Sequence, residues 1–201
     1  MPTTSHAALG LRAHSGWAAL VAVAGSPDSP VVIDKRRIEL ADPRIPGSLQ
    51  PYHAAEGLPL KDAEKLVNRA IDDARRLARQ ACRAVLDDLR EKGHEVIGCG
   101  ILLASGRPLP ALAATLASHA LIHTAEGELF RDALVHASKH HDLPVTRVKE
   151  RELYDGAAAG LGVPAAELLR RVTELGRPLG PPWRQDEKLA TLVAWLALAA
   201  A

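Results

Sequence analysis

An α/β domain built on one mixed sheet is predicted by three features of the chain. Three consecutive apolar runs joined by short turns open it, a long stretch of helical periodicity follows, and a continuous apolar run comes directly after that. The 201 residues suit one core, and 47% hydrophobic residues are enough to fill it, so a single domain over 1–201 is expected.

Residues 7–14 form the first apolar run, Ser15 and Gly16 supply a turn, and residues 17–24 form a second, valine-rich run. The dense turn signal Gly25-Ser26-Pro27-Asp28-Ser29-Pro30 leads to a third strand over 31–40, apolar at its start and charged later. Short links between consecutive strands imply an antiparallel meander. Residues 41–59 hold four prolines and little periodicity. They read as an irregular excursion, longer than an ordinary connection, with Tyr52, His53 and Glu56 as its polar side chains of interest.

Residues 60–92 carry Leu66, Ala70, Ala74, Leu77, Ala81 and Val85 on a 3.6-residue period, and Gly93 is placed to end the helix. The run EVIGCGILLA over 95–104 has the character of a central strand buried on both faces, and Ser105-Gly106-Arg107-Pro108 breaks it. A short helix over 109–118 and a longer one over 124–141 follow, the latter with Leu129, Phe130, Ala133, Leu134 and Ala137 as its apolar stripe. A strand over 143–148, a helix over 164–175 with proline at its first turn, and a helix over 186–198 complete the chain.

The 25 basic and 24 acidic side chains leave a net charge near +1, so the chain as a whole has no electrostatic pull on a polyanion and any nucleic-acid contact must come from a local patch. Aromatic residues are only 3%, which argues against platforms for base stacking. Cys82 and Cys99 lack CxxC spacing and read as free buried thiols. The apolar tail over 189–201 is shorter than a membrane span, and no secretory leader pattern opens the chain; a soluble, cytoplasmic protein without membrane contact is expected.

The order of elements resembles the ribonuclease H-like fold. Leu9-Gly10-Leu11-Arg12 followed by Gly16-Trp17-Ala18 resembles, more narrowly, the Holliday-junction resolvase (RuvC-like) branch, in which an I-G-I-D-x-G strand leads to a G-Y/W-A-V strand. The resemblance implies a mixed five-stranded sheet, a three-strand antiparallel meander plus parallel strands, flanked by helices. It also implies clustered carboxylates that hold two metal ions for phosphodiester cleavage. Here Arg12 stands where the first acid is expected, the end of the fourth strand offers Ala104, Ser105 and Arg107, and only Asp186 and Glu187 keep acids near the third position. The expectation is therefore a degenerate active site: a nucleic-acid-binding or protein-interaction module without cofactor. The alternative is a phosphodiesterase or nuclease that uses magnesium or manganese, with a rearranged site of Glu126, Glu128, Asp186 and His14.

Each candidate has a structural reading beside the chemical one. Glu126 and Glu128 suit the opening turn of a helix that begins at 124, where acids favour the dipole. Glu126 also falls beside the apolar stripe, where a carboxylate needs a partner such as Arg12, Arg107 or a histidine. Arg12, His14, Ser15 and Arg107 converge if the first and fourth strands are neighbours, making a cationic edge for an anion such as phosphate; the competing arrangement pairs the arginines with Glu126 and Asp186. Trp183 and Arg184 either border a ligand cleft or belong to a stiff loop whose tryptophan covers the core. The pairs His119/His123 and His136/His140 are spaced as two-histidine arms, but with neither a nearby cysteine nor an HExxH pattern no metal site is assigned.

Overall fold

The structure, a computed structural model, describes residues 5–104 and 108–201. Strands β1 (Ser5–His14), β2 (Trp17–Ser26) and β3 (Ser29–Glu39) form the predicted meander. The short helix α1 (Pro51–Ala55) and the long α2 (Leu60–Glu91) lead to β4 (His94–Leu103). Then come α3 (Leu112–Leu116), α4 (His119–His140), β5 (Val145–Lys149), α5 (Leu153–Leu161), α6 (Ala165–Leu175) and α7 (Gln185–Ala200). The sheet order is β3-β2-β1-β4-β5, with β4 parallel to both β1 and β5. This is the mixed five-stranded sheet expected of the ribonuclease H-like arrangement.

Three helical features depart from the sequence expectation. The excursion over 41–59 contains α1, where Pro51 occupies the first turn and the backbone N–H groups of Tyr52 and His53 bond a distant carboxylate. Helix α4 begins at His119 rather than at 124, because Ile122 and Ala125 extend the apolar stripe backwards. Helix α5 was not expected from a segment holding two glycines; Leu153 and Ala157, four apart and buried in the cluster of α6 and α7, supply the packing that local propensity lacks.

Alternation along the strands divides the core. Leu9 and Leu11 of β1, with Cys99 and Ile101 of β4, pack against Ala74, Ala78 and Val85 of α2 and against Phe130 and Leu134 of α4. The intervening residues face α7: Ala8 lies with Ala190 and Ala194, and Leu102 with Leu192 and Val193. At the middle of that contact stand Gly10 and Gly100. A Cβ on Gly10 would fall 1.9 Å from the carbonyl oxygen of Ala190, and one on Gly100 would fall 2.3 Å from that of Val193. The absent side chains let the α7 backbone lie directly on β1 and β4. Among the described residues no helix is long and apolar enough to cross a membrane.

Gly10→Ala is expected to lower stability by about 3 kcal/mol, the scale of overpacking in a closed core. Gly156→Ala in α5, where a Cβ meets open space, should gain roughly 0.5–1 kcal/mol from helix propensity. Urea titration of both variants checks the pair, and an unchanged midpoint for Gly10→Ala would contradict the close approach. Burial pushes the Cys82 thiol up to about 11 and the Cys99 thiol up to about 12. Both thiols are therefore expected to resist a disulfide reagent at pH 8 until denaturant is added, since the thiolate is the reactive form.

Candidate functional site

Strands β1, β3 and β4 share one direction, so their C-terminal ends meet along one edge of the sheet. The first turn of α7 arrives at the same edge with Asp186 and Glu187. On β1, Arg12 and His14 share the face that α7 covers, in step with Gly10.

Arg12 organises this edge. Its Nη1 donates to Asp186 Oδ1, while Nε and Nη2 donate to Glu150 Oε2 and Oε1 at 3.1 and 3.0 Å, a two-pronged bond to the short 3-10 turn after β5. His14 Nε2 lies 3.0 Å from both Arg12 Nη1 and Asp186 Oδ1. The His14 ring stacks on Trp17 with centroids 4.2 Å apart, and the Arg37 guanidinium covers the Trp17 ring at 4.1 Å. Arg12 and Asp186 keep only 20% and 23% of their side chains exposed. Desolvation alone would lower the Arg12 pKa, but the bonds and charges of Glu150 and Asp186 outweigh it and raise it.

The donor set at this edge does not fit the two metal ions that the resemblance implies. A guanidinium occupies the end of β1, and it takes Asp186 Oδ1 and both carboxylate oxygens of Glu150. The Glu187 carboxylate accepts the Arg184 N–H at 2.7 Å and caps α7. A hard dication needs several free carboxylate or carbonyl oxygens, and here a fixed cation holds three of them.

The other sequence candidates fall elsewhere. Glu126 and Glu128 lie about two turns inside α4, not in an opening turn, because that helix begins earlier than expected. Glu126 belongs to the opposite face of the sheet and is 3% exposed. Its Oε1 accepts the backbone N–H groups of Tyr52 and His53 at 2.8 and 3.0 Å and lies 3.2 Å from His53 Nδ1, so the partner it needs is a histidine. Burial raises its pKa, against the lowering effect of the His53 and Tyr52 bonds. Glu128 accepts from Arg131 of its own helix at 3.1 Å. Among the described residues, the acids Glu126, Glu128 and Asp186 form no common ligand group.

Ser15 is exposed in the β1–β2 turn, and Arg107 lies outside the described residues. Trp183 donates from Nε1 to the Val172 carbonyl of α6 at 2.9 Å and packs with Leu175 and Leu179. It covers the core, while Arg184 beside it is exposed. An open concavity of about 610 Å³ adjoins the Arg12 network, lined by Leu103, Ala104, Glu150, Arg151, Tyr154 and Gln185. Two residues central to the geometry carried little signal in the sequence. Glu150 is legible only as the residue that follows the last strand, and His53 as one polar side chain in an irregular segment.

Arg12→Leu strips the cation from two carboxylates and is expected to cost about 2 kcal/mol of stability, on the scale of charged hydrogen bonds. Arg12→Lys should recover only part of this, since an ammonium cannot reproduce the fork that spans Glu150 and Asp186. Equal stability of the lysine variant and the parent, by urea titration, would contradict that geometry.

No protein-family model matches the chain, and no curated protein matches it either. Solved structures do. RuvC of Thermus thermophilus in complex with a Holliday junction substrate superimposes with a TM-score of 0.52 at 13% identity, covering 95% of this chain and 91% of that one. A second Thermus thermophilus RuvC structure gives 0.51 at 13% identity, over 94% of this chain and 92% of that one. A Ppx/GppA family member of Aquifex aeolicus gives 0.37 at 12% identity, over 80% of this chain and 40% of that one. Strand order, the parallel β1–β4 pair and the near-complete overlap with RuvC agree: the chain has the ribonuclease H-like fold in its RuvC-like form.

Proposed function

We propose that this protein is a non-cleaving ribonuclease H-like module that holds a nucleic-acid backbone at the C-terminal edge of β1 and β4. The observation that carries this is the bonding of Arg12 to both Asp186 and Glu150 at the end of β1. A cation built into that position opposes metal-assisted cleavage and leaves the scaffold's shape as its asset. The concavity beside it is open, Arg151 lines it, and the exposed Arg184 stands nearby at the start of α7. Phosphate contacts from such exposed arginines position a strand without reading its sequence. One structural neighbour is a RuvC in complex with a Holliday junction substrate, which makes a four-way junction the first ligand to test.

The test combines fluorescence anisotropy on a labelled four-way junction, single-stranded DNA and RNA with a cleavage assay in magnesium and in manganese. Junction binding that weakens with salt is expected, with no fragments in either metal. The double variant Arg151→Ala, Arg184→Ala should weaken binding and reduce the slope of log K against log salt by about 2, one for each lost phosphate contact. Cleavage that disappears in Asp186→Asn would replace this reading with an active phosphodiesterase. No binding to any nucleic acid at low salt would leave a protein partner as the occupant.

A further inference from the structure

On the face of the sheet opposite Arg12, the geometry points to a site for one divalent transition-metal ion of the zinc class, held by His53, His119 and His123, with Glu126 orienting His53. One nitrogen of each histidine lies within 4.8 Å of the others. His119 and His123 are four apart on α4, and their Nε2 atoms face each other at 3.1 Å. A tetrahedral zinc ion with bonds of the usual length sets its nitrogens roughly 3.3 Å apart. Two of the three nitrogens already have nearly that spacing. The third comes from α1, whose His53 ring meets the His119 and His123 rings edge-on, with centroids 5.4 and 4.8 Å away. His119 and His123 are exposed, so small rotations of their rings close the group without disturbing the core.

Glu126 is the second, independent observation. It is buried, it lies 73 residues from His53 in sequence, and its Oε1 is within 3.2 Å of His53 Nδ1. A carboxylate that receives Nδ1–H fixes the tautomer in which Nε2 carries the lone pair, the arrangement that ligating histidines ordinarily have. The same oxygen holds the backbone of Tyr52 and His53, so the arm supplied by α1 is placed by α4 before any ion arrives. Three imidazoles suit a borderline cation and not a hard one, so the site discriminates against magnesium. It leaves one position of a tetrahedral ion toward solvent, where water or an external ligand completes the shell. The other histidine pair is different: His140 lies edge-on to His141, whose Nε2–H donates to the Arg79 carbonyl, and no third ligand joins it among the described residues.

The full chain, stripped of metal with a chelator, is titrated with zinc by calorimetry and followed by thermal unfolding. One zinc per chain is expected, with an increase in melting temperature that magnesium does not produce. His119→Ala and His123→Ala should each abolish that increase, and circular dichroism of these exposed-site variants should be unchanged. Glu126→Gln, which keeps an acceptor for the backbone of α1, should weaken zinc about 10- to 100-fold, and His136→Ala should leave it unaltered. Zinc affinity unchanged in the double variant His119→Ala, His123→Ala, or no saturable binding by the parent chain, overturns the assignment.

Discussion

The close seating of α7 on β1 and β4 is the constraint on which the rest of the molecule depends. Gly10 and Gly100 present no side chain at the middle of the contact, and the carbonyls of Ala190 and Val193 take that space. A helix seated so closely has a fixed register against the sheet. Its first turn therefore delivers Asp186 to the end of β1, where Arg12 meets it. The same helix shares one apolar cluster with α5 and α6, in which Leu192 and Trp195 lie with Leu153, Ala157, Leu168 and Val172.

Arg12 converts that seating into a closed network. A guanidinium can bond two carboxylates in different directions at once, so β1, the first turn of α7 and the turn after β5 are tied at a single side chain. In a ribonuclease H-like scaffold this edge is where several elements converge, and a cation or a set of free acids gives it opposite chemical characters. With arginine, Asp186 Oδ1 and both carboxylate oxygens of Glu150 are engaged inside the protein.

The two faces of the sheet thus carry different chemistry at the same end. The α7 face is an ion-pair network, and the α2/α4 face ends in three histidines behind which Glu126 is buried. Both depend on buried or half-buried polar groups that are satisfied only by partners distant in sequence. This also explains why α1 exists: five residues have little helical stability alone, and Glu126 anchors the backbone of Tyr52 and His53 from across the fold.

The sequence by itself determined the strands of the meander and the long helix, because hydrophobic periodicity and turn residues are local signals, while the RuvC-like resemblance came from the residue pattern of the first hairpin. Gly10 and Arg12 were legible there as well, one within a recognisable strand pattern and the other as a departure from it. Tertiary structure alone decided what these residues meet. Asp186 and Glu150 reach Arg12, and His53 reaches Glu126, through parallel strand pairing and helix seating, which place residues far apart in sequence within hydrogen-bond distance. The true start of α4 was likewise decided by packing, since Ile122 and Ala125 are buried by the fold and not by any cap in the chain. That shift moved Glu126 from a helix terminus, where an acid needs only the dipole, to a buried turn, where it needs a partner.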